Sequence, residues 1–158
     1  MMTVSLFILK FIEQFALSFI SAVGFAIIFQ VPRNRIIYSG WAGAGGWMIY
    51  WFCLLIGMGN IISTFICALS IAWISYIIAR KLKTPATLYN IPGITSVVPG
   101  GTSYKMTYSL LIGDYHQAVE HGIQVIALAG AIAGGLIFFE VARRNFKEGL
   151  VPKIQKRR

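Results

Sequence analysis

Long runs of apolar residues constrain this chain more than any other feature of its sequence. A helix needs about 20 mainly apolar residues to cross roughly 30 Å of hydrocarbon. Five runs of that kind occupy most of the 158 residues, at positions 4–29, 40–58, 61–79, 94–113 and 122–141. Charged residues make up only 12% of the chain, about half the share in a soluble domain. We therefore expect an all-α integral membrane protein: one transmembrane domain of about five helices in the lipid bilayer.

The basic residues predict the orientation of these spans. Twelve of the 14 Lys and Arg residues follow the first, third or fifth span: Arg33, Arg35, Arg80, Lys81, Lys83, Arg143, Arg144, Lys147, Lys153, Lys156, Arg157 and Arg158. Odd-numbered crossings place them on one face, which the positive-inside rule makes cytoplasmic. We expect a multi-pass protein of the cell (cytoplasmic) membrane, with its N-terminus outside and a basic cytoplasmic tail at residues 143–158. The net charge of +9 is thus interpreted as topology and not as a nucleic-acid signal.

The fourth run is interrupted by helix-breaking residues, namely Pro92, Gly93, Pro99, Gly100 and Gly101. Proline removes a backbone donor and glycine loosens a helix. Irregular backbone survives in a membrane only where protein or a water-filled cavity satisfies it. We therefore predict that the fourth span breaks here and restarts near Gly101 or Thr102, with Thr102 or Ser103 as the capping residue. The alternative is an interfacial loop before a late-starting span, and the sequence leaves the depth of the break open.

A restarted helix would expose unpaired N–H groups and the positive end of its dipole. Some transporters hold an anionic substrate group in this way near the middle of the membrane. We expect a substrate carboxylate here, with nearby hydroxyls to orient it and a lysine to neutralise it. The candidate substrate-binding residues are Thr95, Ser96, Gly100, Gly101, Thr102, Ser103, Tyr104 and Lys105. The alternative for Lys105 is that it extends toward an interface.

Other ionisable residues supply further candidates, because intramembrane charges are often functional. Glu13 in the first span is a candidate for proton coupling; it could also pair with Lys105, face a cavity or lie at the outer interface. The polar residues 114–121 predict an outer turn. Glu140 is expected to pair with Arg143 or Arg144, three or four residues further along a helix.

Small residues predict close helix packing, within this chain or against a partner. They are Gly40, Gly43, Gly45 and Gly46 in the second span and a GxxxG pair, Gly130 and Gly134, in the fifth. The aromatic residues of the second span, among them Trp47 and Tyr50, are interpreted as interface anchors and packing residues. Five spans are few for a transporter with a central path, so we expect assembly with further copies or with a larger subunit.

Several motifs resemble the threonine/serine exporter (ThrE) family, in its small-subunit, YjjB-like form. They are FQVPRN at 29–34, GWAGAGGW at 40–47 and SYIIARKLKTPATLYNIPGITSVVPGG at 75–101. Family members often carry a second proline where Ser96 stands. The resemblance covers nearly the whole chain and implies a separate, larger ThrE-type membrane subunit as partner. It also implies export of threonine, serine or a small dicarboxylate such as succinate.

These observations predict a subunit of a secondary exporter for small hydroxy amino acids or small dicarboxylates. The alternative is a non-transporting assembly subunit that stabilises a partner holding the whole transport site. The sequence contains no HExxH, no GxSxG and no paired carboxylates, and its two cysteines lack metal-ligand spacing. We therefore expect neither an enzyme nor a metal or cofactor site.

Overall fold

The computed structural model describes the backbone of residues 4–150 and the side chains of residues 5–145. This part of the chain is helical and contains no strand. The helices are α1 (Val4–Ile28), α2 (Ile36–Leu55), α3 (Asn60–Leu82), α4 (Thr87–Ile94), α5 (Gly100–Leu111) and α6 (Tyr115–Leu150). The all-helical expectation is confirmed for these residues. The last eight residues of the predicted basic tail, 151–158, lie outside the described residues.

Three helices are long and apolar enough to cross a membrane: α1 from Ser5 to Ile28, α3 from Asn60 to Leu82, and α6 from Tyr115 to Asn145. They correspond to the first, third and fifth predicted spans. The second predicted span corresponds to α2, which begins at Ile36, four residues earlier than the expected boundary. The fourth, at 94–113, contains the break and α5 but overlaps α4 only at Ile94. The count of five crossings therefore stays a prediction.

Small residues of α2 allow the first three helices to pack closely. A Cβ added at Gly43 would lie 2.5 Å from the Cβ of Ala22 in α1. A Cβ added at Gly46 would lie 2.1 Å from Cγ1 of Ile71 in α3. The glycines of α2 therefore pack inside this chain. In α6, the glycine in tight contact with α3 is Gly135, whose added Cβ would lie 2.7 Å from the carbonyl oxygen of Phe65. Gly130 of the expected GxxxG pair has no such neighbour.

Helices α3 and α6 run in the same direction. Near the start of α3, Phe65 lies beside Gly134 and Gly135. Near its end, the Tyr76 ring lies 5.4 Å from the guanidinium carbon of Arg143. Helices α1 and α2 are antiparallel, because Phe7 contacts Trp51 while Phe19 contacts Trp41. The basic C-terminal ends of α3 and α6 therefore lie at the same end of the bundle, as the charge pattern predicts.

The polar residues 114–121 do not form the expected turn; that prediction is wrong. The turn is confined to Ile112–Asp114, where Gly113 adopts φ +82° and the amide of Asp114 donates to the carbonyl oxygen of Ser109 at 2.9 Å. Helix α6 then begins at Tyr115. The Asp114 carboxylate accepts a hydrogen bond from the amide of Gln117 at 3.1 Å. This bond satisfies an otherwise free amide in the first turn, so the polar residues continue as helix. Helix α6 has 36 residues, which is about 54 Å at 1.5 Å per residue.

Helix α4 enters the bundle from the basic end and stops halfway along it. Its first residues lie near the start of α2, where the Tyr38 and Tyr89 rings are 6.5 Å apart. Its penultimate residue, Gly93, contacts Gly43 and Ile71. Ile71 is eleven residues from either end of α3, so α4 ends level with the middle of that helix.

Proline inside α4 is accommodated by a neighbouring helix. Pro92 has no N–H to donate to the carbonyl oxygen of Leu88, four residues before it. That oxygen instead accepts a hydrogen bond from the Ser39 hydroxyl of α2 at 3.2 Å. Ser39 and Pro92 are both fully buried. The break expected to begin at Pro92 therefore begins three residues later, at Thr95.

Candidate functional site

The helix break spans residues 95–99, between the end of α4 and the start of α5. Several of its polar groups are satisfied locally. The Thr95 hydroxyl donates to the carbonyl oxygen of Pro92 at 2.5 Å, and the Val97 amide donates to that of Ile94 at 2.8 Å. Pro99 has φ −74° and ψ 53°, close to an inverse γ-turn, and the Gly100 amide donates to the carbonyl oxygen of Val98 at 2.7 Å. The predicted interruption is thus present as a compact, ordered turn.

Helix α5 restarts at Gly100, and its first amides have few partners. The position before it is Pro99, which makes no side-chain capping bond. The expected cap at Thr102 or Ser103 is therefore wrong: the Ser103 hydroxyl donates to the carbonyl oxygen of Pro99 at 2.9 Å and accepts no capping bond. Within the described residues, the amides of Gly101 and Thr102 have no hydrogen-bond acceptor. They are the donors that a helix N-terminus leaves for an anion.

A cavity of about 280 Å³ adjoins this helix start. It lies between α2, α3, the break, α5 and α6. Its lining residues are Trp47, Tyr50, Asn60, Thr64, Ser96, Val97, Val98, Pro99, Gly100, Gly101, Thr102, Lys105 and Leu128. The chain thus brings residues from five segments around one small chamber.

Five of the eight predicted substrate-binding residues line this cavity: Ser96, Gly100, Gly101, Thr102 and Lys105. The other three lie outside the lining. Thr95 and Ser103 use their hydroxyls on the carbonyl oxygens of Pro92 and Pro99. The Tyr104 side chain is 71% exposed and its ring stacks on Tyr108. Only part of the predicted segment therefore lines the cavity.

The glycines at the helix start have open space around them. A Cβ added at Gly100 or at Gly101 would meet no atom within 4 Å. Neither glycine has a positive φ, so neither is required by the backbone conformation. Their hydrogens keep the cavity open beside the free amides.

The opposite wall of the cavity is an aromatic pair that the sequence analysis interpreted as anchors. The Trp47 and Tyr50 rings have centroids 5.0 Å apart and an interplanar angle of 36°. Trp47 Nε1 donates to Gln14 Oε1 in α1 at 2.8 Å, and the Tyr50 hydroxyl donates to Asn60 Oδ1 in α3 at 2.5 Å. Both polar edges are therefore held by neighbouring helices. The available signal was their spacing of three residues on a glycine-rich helix, which places both on one face.

Lys105 and Glu13 do not form the ion pair that was one alternative for Glu13. Lys105 is exposed, lines the cavity and forms no salt bridge with any described side chain. Glu13 is exposed on α1 and belongs to neither cavity wall. Its neighbour Gln14 is the α1 residue that contacts the wall, through Trp47. Proton coupling by Glu13 remains a prediction.

The expected ion pair of Glu140 is confirmed. Its carboxylate accepts hydrogen bonds from Arg143, three residues further along α6. Both side chains line a second, larger space of about 1310 Å³ between α3, the start of α4 and the last turns of the described part of α6. This groove is mostly apolar, and its walls include Trp73, Tyr76 and Phe139.

The fold is helical, with three helices long and apolar enough to cross a membrane, and a small cavity adjoins the helix break. The chain belongs to the threonine/serine exporter family: the family model described as "Threonine/Serine exporter, ThrE" matches residues 14–142. The match includes α2 to α5, and with them the break and the aromatic pair. The resemblance inferred from the sequence motifs is thereby confirmed.

Two relatives are similar to most of the chain. A Haemophilus influenzae protein named "Uncharacterized protein" is 25% identical over 141 residues, covering 84% of this chain and 48% of its own length. A "Threonine/serine exporter" of Corynebacterium glutamicum is 24% identical over 126 residues, covering 79% of this chain and 26% of its own length. The chain thus spans about half the length of the first relative and a quarter of the second. No solved structure matches it.

Proposed function

We propose that this chain is a subunit of a secondary exporter for small hydroxy amino acids, threonine and serine, or small dicarboxylates. It would act in the cell membrane beside a larger membrane subunit. The observation that carries the proposal is the helix break beside a cavity that holds free amides and Lys105 and that reaches the first turns of α3 at Asn60 and Thr64. Family membership supports transport as the activity.

The proposed topology has five crossings, with the N-terminus outside and the C-terminus in the cytoplasm. The parallel direction of α3 and α6 supports it, because both helices then end on the basic, cytoplasmic side. In this arrangement α4 rises from the cytoplasm to the middle of the bilayer and α5 continues outward. The proposed substrate carboxylate lies at the amides of Gly101 and Thr102, with Lys105 neutralising its charge.

A leucine at Gly101 tests this proposal, because Gly101 lines the cavity and an added Cβ meets no atom within 4 Å. The variant is placed in the chromosome of the native host so that its natural partners are present. We expect Gly101→Leu to lower export at least about tenfold, equivalent to 1.4 kcal/mol of lost stabilisation, with an unchanged amount of protein in the membrane. Gly130→Leu, at another open glycine outside the cavity, is the matched control.

A second variant in this test removes the positive charge of Lys105. We expect Lys105→Gln to raise the apparent KM for a carboxylate substrate about tenfold or more, as befits the loss of a charged hydrogen-bond partner. Normal export by both the Gly101→Leu and Lys105→Gln variants would contradict the proposed path.

A second candidate function is the assembly subunit that only stabilises a transporting partner. The open apolar groove between α3 and α6 favours it, because lipid or another protein must cover such a surface. The same experiment separates the two functions: an assembly subunit tolerates a filled cavity, whereas a path subunit does not.

A further inference from the structure

The proposed carboxylate site does not involve the part of the cavity lining that α2 and α3 provide. Besides Lys105 and the Tyr50 phenol, no ionisable side chain lines the cavity. An amino acid whose carboxylate lies at α5 must still place its ammonium group within the same 280 Å³. The lining residues offer that group no carboxylate as counter-ion, and Lys105 repels it.

The aromatic pair is the surface in the cavity best suited to a cation. An ammonium group is attracted to the face of a Trp or Tyr ring. Trp47 and Tyr50 use their polar edges on Gln14 and Asn60, so the parts of these rings that line the cavity offer a ligand aromatic surface and no free N–H or O–H donor. Both rings are partly buried and pack against a cluster of Cys67, Ile71 and Val97, which fixes their positions.

Oxygen atoms beside the rings complete this wall. The Thr64 hydroxyl donates to the carbonyl oxygen of Asn60 at 2.8 Å, which leaves its lone pairs free to accept from an ammonium group. Asn60 Oδ1 accepts from Tyr50 and has a second lone pair. The α2–α3 wall therefore offers π faces and acceptors, while the α5 wall offers donors and a cation. This polarity matches a zwitterion placed across the cavity.

We propose that Trp47 and Tyr50 are the specificity-determining residues that select substrates with an ammonium group over carboxylates that lack one. The inference rests on the proposed function, because it assumes that the cavity is the substrate site. It assigns the opposite wall a role that the carboxylate site alone does not require. A dicarboxylate places a second negative charge against this aromatic wall, where a quadrupole repels it.

The test compares serine with 3-hydroxypropionate, which has the same hydroxyl and carboxylate without the amine. Uptake is measured in inside-out vesicles of the native membrane, which keep the full chain and its partners. Radiolabelled serine is the substrate and 3-hydroxypropionate is the competitor, with radiolabelled succinate assayed in parallel. Trp47→Leu and Tyr50→Leu remove the ring faces, whereas Tyr50→Phe keeps the face and removes only the bond to Asn60.

We expect each leucine variant to raise the apparent KM for serine about 5- to 30-fold, which corresponds to roughly 1–2 kcal/mol. The inhibition constant of 3-hydroxypropionate should change less than about twofold in the same variants, because this competitor has no ammonium group and therefore loses no contact with the rings. A change of that size is well below the tenfold that corresponds to 1.4 kcal/mol. Tyr50→Phe should stay close to the wild type. Trp41→Leu, at a half-exposed ring that packs on Phe15 and Phe19 outside the cavity, is the control.

The outcomes separate this inference from the proposed function. Equal weakening of serine and 3-hydroxypropionate by the leucine variants overturns the inference, because the rings would then act only as packing. If the wild-type protein takes up succinate but not serine, the inference is also overturned, although the cavity would remain a carboxylate site. Wild-type uptake of neither substrate defeats the proposed function itself. If a leucine variant is missing from the membrane, the comparison of Tyr50→Phe with Tyr50→Met decides, since methionine keeps apolar volume without a ring.

Discussion

Single glycines in this chain have two different roles, and their neighbours distinguish them. Gly46 is a packing residue, because an added Cβ would lie 2.1 Å from Ile71 Cγ1 and 3.5 Å from the carbonyl oxygen of Cys67. Gly101 faces the cavity and has open space around it. A larger side chain therefore has different consequences at the two positions. At Gly46 it disturbs the packing of the fold, and at Gly101 it changes the cavity.

Gly46→Ala should destabilise the protein by about 1–3 kcal/mol, the usual cost of overpacking a close contact. The free energy of unfolding in detergent micelles measures this effect. The matched control is Gly130→Ala, which has open space and should stabilise α6 by about 1 kcal/mol through helix propensity. Equal stability of the Gly46→Ala and Gly130→Ala proteins would contradict the packing described for α2 and α3.

At the scale of elements, α4 depends on α2 for its hydrogen bonding. Its only proline leaves the carbonyl oxygen of Leu88 without an intrahelical donor, and the buried Ser39 hydroxyl supplies one. A short helix of eight residues has little stability of its own. Its position at mid-bundle therefore relies on contacts such as this one and the contact between Gly93 and Gly43.

Ser39→Ala should cost about 1–3 kcal/mol, because it leaves a buried carbonyl oxygen unpaired. The cost should fall in a Pro92→Ala background, since alanine restores an amide that can reach the same oxygen. A double-mutant cycle on unfolding free energies measures the coupling between the two positions. Strictly additive costs would show that the Ser39 hydroxyl does not compensate for the proline.

Local chemistry made part of this architecture predictable. The break follows from the Pro and Gly residues between 92 and 101, and its observed limits differ by a few residues because Ser39 supports Pro92 inside α4. The turn at 114–121 was mispredicted because polarity was given more weight than the capping pair Asp114 and Gln117. Most of helix α4 lies before the predicted fourth span, because its support comes from tertiary contacts, among them the fully buried Tyr89, whose hydroxyl bonds to Thr84.

The candidate site was predictable only where it is contiguous in sequence. Ser96 to Lys105 lie on one segment, and the spacing of hydroxyls, glycines and lysine marked them. Trp47, Tyr50, Asn60 and Thr64 join them only through the packing of α2 and α3 against the break. No local pattern shows which face of α2 meets a residue fifty positions away, so the second wall required the folded structure.

At the scale of the whole molecule, the basic ends of α3 and α6 lie together and define a polarity for the bundle. Cysteine labelling tests this polarity, because the native Cys53 and Cys67 are buried. We expect Lys81→Cys and Asn145→Cys to react with a charged thiol reagent only from the cytoplasmic side. Met58→Cys, in the turn between α2 and α3, should react only from outside. Reaction of the Lys81 and Asn145 variants from opposite sides would contradict the parallel arrangement.

The central claim is that the helix break at 95–99 adjoins a water-filled chamber inside the membrane domain. The most direct measurement compares Thr102→Cys, which lines the cavity, with Tyr104→Cys, two residues away on the exposed face of α5. Both are treated in native membranes with a charged, water-soluble thiol reagent, with and without serine. We expect Thr102→Cys to react and to be protected by serine, while Tyr104→Cys, which the proposed topology places against lipid, stays unlabelled. Labelling of Tyr104→Cys alone, with Thr102→Cys inert, would contradict the account.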